Sequence, residues 1–581
     1  VEQYAKEVLD FSSHYGSENS MSYTMWNLAG VPNVYPSSGD FTQTALFRAY
    51  GTWWEQCASA PPPFRRTPKG FYSQDYIEVG FEEPVYPTGV DVLETYYPGA
   101  VVQILACSHN PFSQNPPTDV RWEVLWSGEP TKVLTPQARQ FSPTIKHINF
   151  PTNLLRLEVN SSLLNYYTEL DAVILRGVKE RPMLALYKMP MIDISDLSDS
   201  EEELSDVGGP FRQGGAGSGY FDKLPYEFTC CCCLFFPNLM IAVLFFPLLI
   251  LFSVYPLNPS PHLPSLIQLI LSHLTLPDLS RLAQSCKLLH QHCCDPLQYT
   301  QLSLQPYWAR LNDAALGHLQ SRCTLLQRLN LSWTGNRGAL TLTGFSSFLK
   351  ACGLSLVCLE LSCCHFLNEA CVEVISETCP GLQELNLSSC DRLQPPSFTH
   401  ISKLTRLRRL VLYRTKIEVT YPILTILTFC IELRHLNLGS CVMIEDYDVV
   451  ASMLAARSSF LRSLDLWRCR NLTDRGLLEL VSGCRMLEEL DLGWCPTLQS
   501  STGCFQNLAR GLPRLRKLFL TANRTVCDSD IEALATCCPS LQHLDILGTR
   551  LVSSASLKKL LQSCPQLLLL DVSFCSQIDT R

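Results

Sequence analysis

The feature that most constrains the fold of this chain is a repeat of about 26 residues in its C-terminal half. The pattern Leu-x-x-Leu-x-Leu occurs in ten copies, in which Ile546 and Val572 replace the third leucine of the last two. A weaker copy begins at Tyr299. Such a period predicts a short strand with a helical return, stacked into a curved α/β leucine-rich-repeat solenoid. The ten copies begin at Leu326, Leu356, Leu382, Leu407, Leu433, Leu461, Leu487, Leu515, Leu541 and Leu567.

Most of the 28 cysteines belong to this repeat. One set lies eight residues after the first leucine, where other copies have threonine or asparagine, and a second set lies three residues before it. Small side chains that can form hydrogen bonds suit the point where the chain leaves a strand. We therefore favour structural packing over metal binding, since no paired Cys-x-x-Cys ligand spacing accompanies them. Repeated, buried-type cysteines also indicate a reducing compartment rather than a disulfide framework.

Composition and motifs exclude several function classes. The net charge of -8 and the absence of a basic tract argue against a nucleic-acid-binding surface. No G-x-S-x-G, P-loop or H-E-x-x-H motif is present, so we expect a non-catalytic protein without a cofactor or metal. The chain begins at Val1 rather than methionine and ends inside a repeat, so we expect both termini to be incomplete.

A short helical motif precedes the repeats. Apolar residues at three- and four-residue steps from Leu266 to Leu289 predict two or three amphipathic helices, with Pro277 and Asp278 at a helix start. Upstream, Leu224-Pro225-Tyr226-Glu227 is similar to the Leu-Pro-x-Glu-Leu opening of an F-box. The motif resembles an F-box, and the repeats resemble the cysteine-containing leucine-rich repeats of F-box proteins.

The resemblance to the F-box/leucine-rich-repeat family implies a substrate receptor of a cullin-RING (SCF-type) ubiquitin ligase. The F-box would bind a Skp-type adaptor and, through it, the cullin, while the repeats hold the protein to be ubiquitinated. The same leucines could instead serve only to hold the small helical domain together. The candidate adaptor-binding residues are Leu224, Pro225, Glu227, Leu266, Ile270, Leu274, Asp278 and Leu279.

The F-box is interrupted by the apolar insertion 228–265. No Asp, Glu, Lys or Arg occurs from Phe228 to Pro277, and the run from Leu234 to Tyr255 is long enough to span a bilayer. Its flanks lack the Lys and Arg residues that orient membrane spans. We therefore favour translated non-coding sequence, from splicing or the gene model, over a membrane anchor.

The N-terminal third has a different pattern. Short alternating or apolar runs separated by Pro-, Gly- and Asn-rich turns predict an antiparallel β-sandwich over residues 1–185, and Trp26-Asn27-Leu28-Ala29-Gly30 is one of the segments that resemble a discoidin-like jelly roll. An acidic and Gly-rich disordered linker is expected at 186–220, the F-box at 221–295 and the repeats at 296–581.

The concave face of the predicted solenoid is acidic in its later half. Aspartates lie between the second and third leucines there, with aromatic and arginine residues two and three positions further on. Such side chains dominate interface energies, so we expect a target with basic groups near Asp465, Asp491 and Trp494. The alternative is that the carboxylates cap turns. The predicted substrate-binding residues are Tyr413, Arg414, Asp465, Trp467, Arg468, Asp491 and Trp494.

The sequence also fits a second class of function, different from that of a ubiquitin-ligase receptor. The sandwich, the repeats and the apolar run also fit a membrane-linked or carbohydrate-binding adhesion protein. The F-box residues and the repeated cysteines favour the receptor. The resemblance further implies an intracellular, cytosol-facing location, with the mitochondrial outer membrane as a candidate; membrane contact would need the 228–265 insertion or a missing N-terminus.

Overall fold

The chain is described from a computed structural model that has three parts: an N-terminal β unit, a helical unit and a C-terminal solenoid. For residues 263–266 the backbone alone is described. The Leu224-Pro225-Tyr226-Glu227 motif, the run 234–255 and the predicted linker lie outside the described residues. The described residues are 1–16, 22–48, 57, 59–65, 74–113, 120–132, 137–164, 167–181, 263–335 and 339–579.

The described part of the β unit contains nine antiparallel strands. The strand order is β1-β9-β4-β8-β5-β6, with β2 and β7 paired to β4 and β3 paired to β9. The strands are β1 Glu2–Tyr4, β2 Glu7–Phe11, β3 Ala45–Leu46, β4 Asp75–Tyr96, β5 Val101–Cys107, β6 Trp122–Ser127, β7 Arg139–Phe141, β8 Thr152–Val159 and β9 Glu169–Val178.

The long strand β4 joins the two halves of the β unit. Its first half pairs with β2 and β8, and its second half pairs with β7 and β9. Side chains from both halves, such as Ile77 and Val92, are fully buried in one core. The prediction of antiparallel β structure at the N-terminus is confirmed, because the alternating runs of the sequence fall in β4, β5, β6 and β8.

The helical unit consists of α1 (Leu263–Ser272), α2 (Leu276–Leu282) and α3 (Lys287–Cys293). Thr275 caps α2 by accepting a hydrogen bond from the Asp278 backbone N–H, with proline in the first turn, which is the favoured arrangement at a helix start. Leu276 packs against the core of the solenoid, so the helical unit adjoins the first repeat. Its own core contains Ile267, Leu271, Leu274, Leu279, Leu282, Ala283, Leu289 and Cys293.

The solenoid is built on an eleven-stranded parallel sheet, which confirms the leucine-rich-repeat prediction. Every strand has three residues, and its central leucine pairs in register with the central leucine of the next strand, from Leu302 to Leu570. The strands are β10 Gln301–Ser303, β11 Arg328–Asn330, β12 Cys358–Glu360, β13 Glu384–Asn386, β14 Arg409–Val411, β15 His435–Asn437, β16 Ser463–Asp465, β17 Glu489–Asp491, β18 Lys517–Phe519, β19 His543–Asp545 and β20 Leu569–Asp571.

Helices return the chain between these strands and bury their apolar faces against the leucines. None of the helices in the described ranges is long and apolar enough to cross a membrane. The returns are α4 Asp313–Gln320, α5 Leu342–Cys352, α6 Glu369–Thr378, α7 Pro395–Ile401, α8 Tyr421–Phe429, α9 Tyr447–Arg457, α10 Asp474–Gly483, α11 Cys504–Gly511, α12 Asp528–Cys537 and α13 Ser554–Ser563.

The turn after each strand has two regular features. The residue seven places after the first leucine adopts a left-handed conformation in every repeat from Trp333 to Phe574, although only Gly548 among them is a glycine. The next residue forms a hydrogen bond inside the stack; for example, the Cys390 thiol donates to the Leu361 carbonyl over 3.1 Å. Burial raises the pKa of these thiols, so they remain protonated donors.

Candidate functional site

The predicted substrate-binding residues lie on the concave side of the solenoid, where the β unit of the same chain packs against them. Tyr413, Trp467, Arg468 and Asp491 are buried. Asp465, Arg414 and Trp494 are partly buried. We call this contact region the docking face.

Arg48 of the β unit pairs with two aspartates of the acidic stripe. Its guanidinium lies 2.8 Å from Asp465 and 2.5 Å from Asp491, and the three side chains are at least 85% buried. The same guanidinium lies 4.7 Å from the Trp467 ring centroid and 5.3 Å from that of Tyr413. A cation held by two carboxylates and two aromatic faces is a strong point of attachment. The basic group expected beside Asp465 and Asp491 is thus present within this chain.

The electrostatics of Asp491 depend on this cation. Burial raises the pKa of Asp491 to about 8, Arg48 acts in the opposite direction, and neighbouring Asp465 adds to the increase. Glycine makes room for the arrangement, because a Cβ at Gly439 would lie 2.8 Å from the Arg48 guanidinium. At Gly493 it would overlap the Trp467 ring. Gly439 and Gly493 are therefore part of the docking face, since a larger side chain at either position would collide with it.

Two arginines of the solenoid bind the N-terminal strand region. Arg414 donates to the Phe11 carbonyl over 2.9 Å, and its guanidinium lies 3.9 Å from the Phe11 ring centroid. Arg468 contacts His14 Nε2 at 3.1 Å. The pKa of His14 lies well below its usual value, mainly because the ring is buried and also because arginines lie nearby. Its neutral ring therefore accepts the hydrogen bond.

Aromatic packing extends the contact toward the last repeats. The Tyr15 ring lies 4.9 Å from the Trp467 ring in an edge-on arrangement, and its hydroxyl donates to Asp545 over 3.2 Å. Trp494 packs at the edge of the same cluster. The docking face thus reaches from β14 to β19.

A separate contact fixes the β unit to the first repeats. Arg156 of β8 is fully buried, with its guanidinium 3.8 Å from the Trp308 ring centroid and 5.0 Å from that of Trp333. Glu158 accepts from both Arg156, over 3.1 Å, and the Trp308 indole N–H, over 2.8 Å. The two units are therefore joined by buried, charge-assisted contacts at both ends of the solenoid.

The described candidates for adaptor binding lie in α1 and α2. Leu274 and Leu279 are buried in the core of the helical unit, whereas Ile270 and Asp278 are partly exposed. Only the backbone of Leu266 is described, and Leu224, Pro225 and Glu227 lie outside the described residues.

The exposed apolar side chains of the helical unit are different leucines. Leu269 in α1 is 59% exposed and Leu288 in α3 is 41% exposed. Sequence reasoning missed both, because helical periodicity alone does not tell which face of a three-helix unit is covered.

One group of potential metal ligands occurs among the described residues, comprising Cys358, Glu360 and Glu384. Glu360 already forms an ion pair with Arg409 at 2.8 Å and accepts from Asn386 at 2.7 Å. Burial and the two glutamates raise the pKa of Cys358, so its thiol stays protonated. These partners identify the group as an ion-pair network.

Comparison with known proteins gives the family. The chain is 66% identical over 591 aligned residues to F-box/LRR-repeat protein 4 of Bos taurus, an alignment that covers 100% of this chain and 89% of that protein. The chain belongs to the F-box/LRR-repeat protein family. At the level of that family, membership supports a receptor of the SCF type, and F-box/LRR proteins are generally non-catalytic.

Other comparisons add little to the family assignment. No family model matches the sequence. A chain from the Rad7 and Elc1 complex of yeast gives a TM-score of 0.34 at 18% identity, covering 60% of this F-box/LRR chain and 96% of that one. The leucine-rich-repeat protein LegL7 of Legionella pneumophila gives 0.33 at 17% identity, covering 46% and 93% respectively. These similarities are too low to relate functions.

Proposed function

We propose that this chain is the substrate-recognition subunit of an SCF-type ubiquitin ligase. The helical unit serves as the F-box and binds a Skp-type adaptor, and through it the cullin. The solenoid and the β unit together hold the protein target. The chain then accelerates ubiquitination by proximity alone, since tethering raises the effective concentration of target lysines near the ubiquitin-loaded enzyme.

The observation that supports this proposal best is the position of the helical unit. It has its own small core and adjoins the first repeat through Leu276, while Leu269 stays exposed. The adaptor is proposed to bury Leu269. An adaptor bound there would stand at one end of the solenoid, next to the first repeat.

Adaptor binding is tested with a substitution that leaves the helical core intact. Leu269→Glu should abolish co-purification of the adaptor and cullin with the full chain, because it places a charge in an apolar interface. Leu354→Glu is the matched control, since Leu354 is 79% exposed in the solenoid. Undiminished co-purification by Leu269→Glu would contradict this adaptor surface. Leu274→Ala and Leu279→Ala are unsuited, because they would disturb the fold of the helical unit.

The protein target is expected to contact residues around the docking face. Tyr413, Arg414, Asp465, Trp467, Arg468, Asp491 and Trp494 remain the proposed substrate-binding set, with Arg48 as a local competitor for basic groups of the target. These residues can bind the target only if the β unit releases part of the docking face. Crosslinking from Trp494, which is only partly buried, to captured target in cells tests this.

Two further parts of the proposal rest on resemblance. The β unit is proposed to be discoidin-like, and the chain is proposed to act at the mitochondrial outer membrane. Fractionation of tagged full-length chain from cells tests the location, and absence from mitochondria would contradict it. Binding of the β unit to sugars or lipids would favour the adhesion alternative only if adaptor binding is absent.

A further inference from the structure

A short segment of the β unit crosses the concave side of the solenoid. Residues 59–65, with the sequence Ser-Ala-Pro-Pro-Pro-Phe-Arg, are called the strap here. Arg328 of β11 donates to the Pro62 carbonyl over 2.6 Å and to the Pro63 carbonyl over 3.3 Å. The strap is therefore held by a side chain at the start of a solenoid strand.

Cations of two later strands continue this pattern. Arg409 of β14 donates to the Ser59 carbonyl over 3.3 Å. Lys517 of β18 contacts the thiol of Cys57, next to the strap. Arg328, Arg409 and Lys517 occupy the same first position of their strands, so they form a row along the concave side. The segment from Cys57 through the strap runs along this row from Lys517 to Arg328, which is opposite to the order of the repeats.

The chemistry of the row is that of a peptide-binding groove. The strap hydrogen bonds that Arg328 and Arg409 form go to backbone carbonyls, which any extended peptide presents. Three consecutive prolines favour an extended polyproline conformation and have no N–H groups to satisfy. The only aromatic side chain of the strap, Phe64, lies 4.3 Å from the Arg328 guanidinium, measured to its ring centroid.

The strap forms part of the wall of a cavity of about 420 Å³. The lining of this cavity also includes Glu360, His435 and Glu489 of the solenoid. Pro62, Pro63 and Arg65 are exposed. None of the strap residues is fully buried, in contrast to Arg156. Segments with little buried surface open at a lower free-energy cost than core elements do.

We infer that the strap is a built-in occupant of a peptide-binding groove, and that an extended, proline-containing segment of the protein target replaces it there. Arg328 and Arg409 bind the carbonyls of that segment, and Arg328 takes an aromatic side chain of the target in place of Phe64. This inference rests on the proposed function, because it assigns the groove to the target.

The test uses the full chain with residues 59–65 replaced by a Gly-Ser sequence of equal length. The probe is a fluorescent peptide with the sequence of the strap, measured by fluorescence polarisation. The strap-replaced chain should bind this peptide about ten-fold or more tightly than the intact chain does, because the tethered strap competes at high effective concentration. Absence of binding to the strap-replaced chain, or equal binding by both chains, would overturn the inference.

Variants in the strap-replaced chain identify the groove. Arg328→Ala and Arg409→Ala should each weaken peptide binding about ten-fold. Arg408→Ala is the matched control, because that neighbouring arginine is exposed and pairs with Glu432 at 3.2 Å. Equal loss in the control would mean that binding is nonspecific and would also overturn the inference.

Adaptor co-purification is measured on the same preparations. Adaptor binding without peptide binding overturns the groove alone, whereas peptide binding without adaptor binding overturns the proposed function and leaves the groove standing.

Discussion

Arg48 in the β unit and Asp491 in β17 form an ion pair at 2.5 Å, although they lie 443 positions apart in the sequence. Both side chains are 8% exposed. The charges of Arg48 and Asp491 are therefore almost completely removed from water, and each is compensated by the other across the contact between the β unit and the solenoid. The pair connects the β unit of this family member to the later half of the concave face.

Removal of Arg48 should destabilise the protein strongly. Arg48→Ala leaves Asp465 and Asp491 buried without their cation, which costs roughly 3–5 kcal/mol. We expect a lower melting temperature and faster proteolysis of the β unit. Lys132→Ala, an exposed cation of the same unit, is the control. Adding Asp491→Asn should recover part of the loss, and unchanged stability of Arg48→Ala would contradict the role given to this pair.

A methyl group at Gly439 should weaken the docking face. The new Cβ would lie 2.8 Å from both the Arg48 guanidinium and an Asp465 carboxylate oxygen, so Gly439→Ala should cost about 1–3 kcal/mol by overpacking. Gly317→Ala provides a control of opposite sign. Gly317 lies inside α4 with open space around it, so alanine there should stabilise by about 0.5–1 kcal/mol. Denaturant unfolding measures both; equal shifts would refute the packing argument.

His365 should make the contact between the units dependent on pH. It lies 3.0 Å from Asp10 of β2 and 3.1 Å from Asp391 of the solenoid. Burial lowers its pKa, but the hydrogen bonds to Asp10 and Asp391 outweigh burial and raise it to about 10. Because the folded-state pKa exceeds the unfolded value of about 6.5, the stabilisation is complete below that pH and is lost as the pH rises through 10.

The His365 effect is measured against His365→Gln, which keeps a hydrogen-bonding side chain without the charge. The variant should be less stable than the parent at pH 6, and the difference should shrink toward zero near pH 10. A difference that grows with pH would show that the sign is wrong.

Cys390 should tolerate threonine better than valine. Its thiol donates to the Leu361 carbonyl inside the stack, and other repeats have threonine at this position. Val and Thr are nearly isosteric, so the pair isolates the loss of the donor, which costs about 1–3 kcal/mol for a buried carbonyl. Thermal melts show which of the two variants is more stable. If Cys390→Val is the more stable one, the hydrogen bond is not the reason why cysteine or threonine occupies this position of the repeat.

The solenoid was predictable because its signal is local and repeated. A fixed period places each central leucine, such as Leu410, in register with its neighbours, and no long-range information is needed. Strands β4, β5, β6 and β8 of the β unit were also predictable from local signals, since alternating or apolar runs bounded by turn residues indicate strands.

The docking of the β unit on the concave side was not predictable in this way. The acidic stripe indicated a basic partner, but nothing local distinguishes Arg48 from the other basic residues of the chain. Likewise, helical periodicity marked Leu274 and Leu279 as apolar without showing that they form the core while Leu269 is exposed. Both questions depend on which surfaces meet in three dimensions.

The distance in sequence between Arg48 and Asp491 has a consequence for synthesis on the ribosome. At 5–20 residues per second, translation from Arg48 to Asp491, which lie 443 positions apart, takes roughly 20–90 s. The β unit can fold early, but the solenoid residues that contact Phe11, Tyr15 and Arg48 have not been synthesised at that stage. During that interval the nascent β unit presents an aromatic and charged surface to chaperones, and its maturation is complete only when nearly the whole chain has emerged.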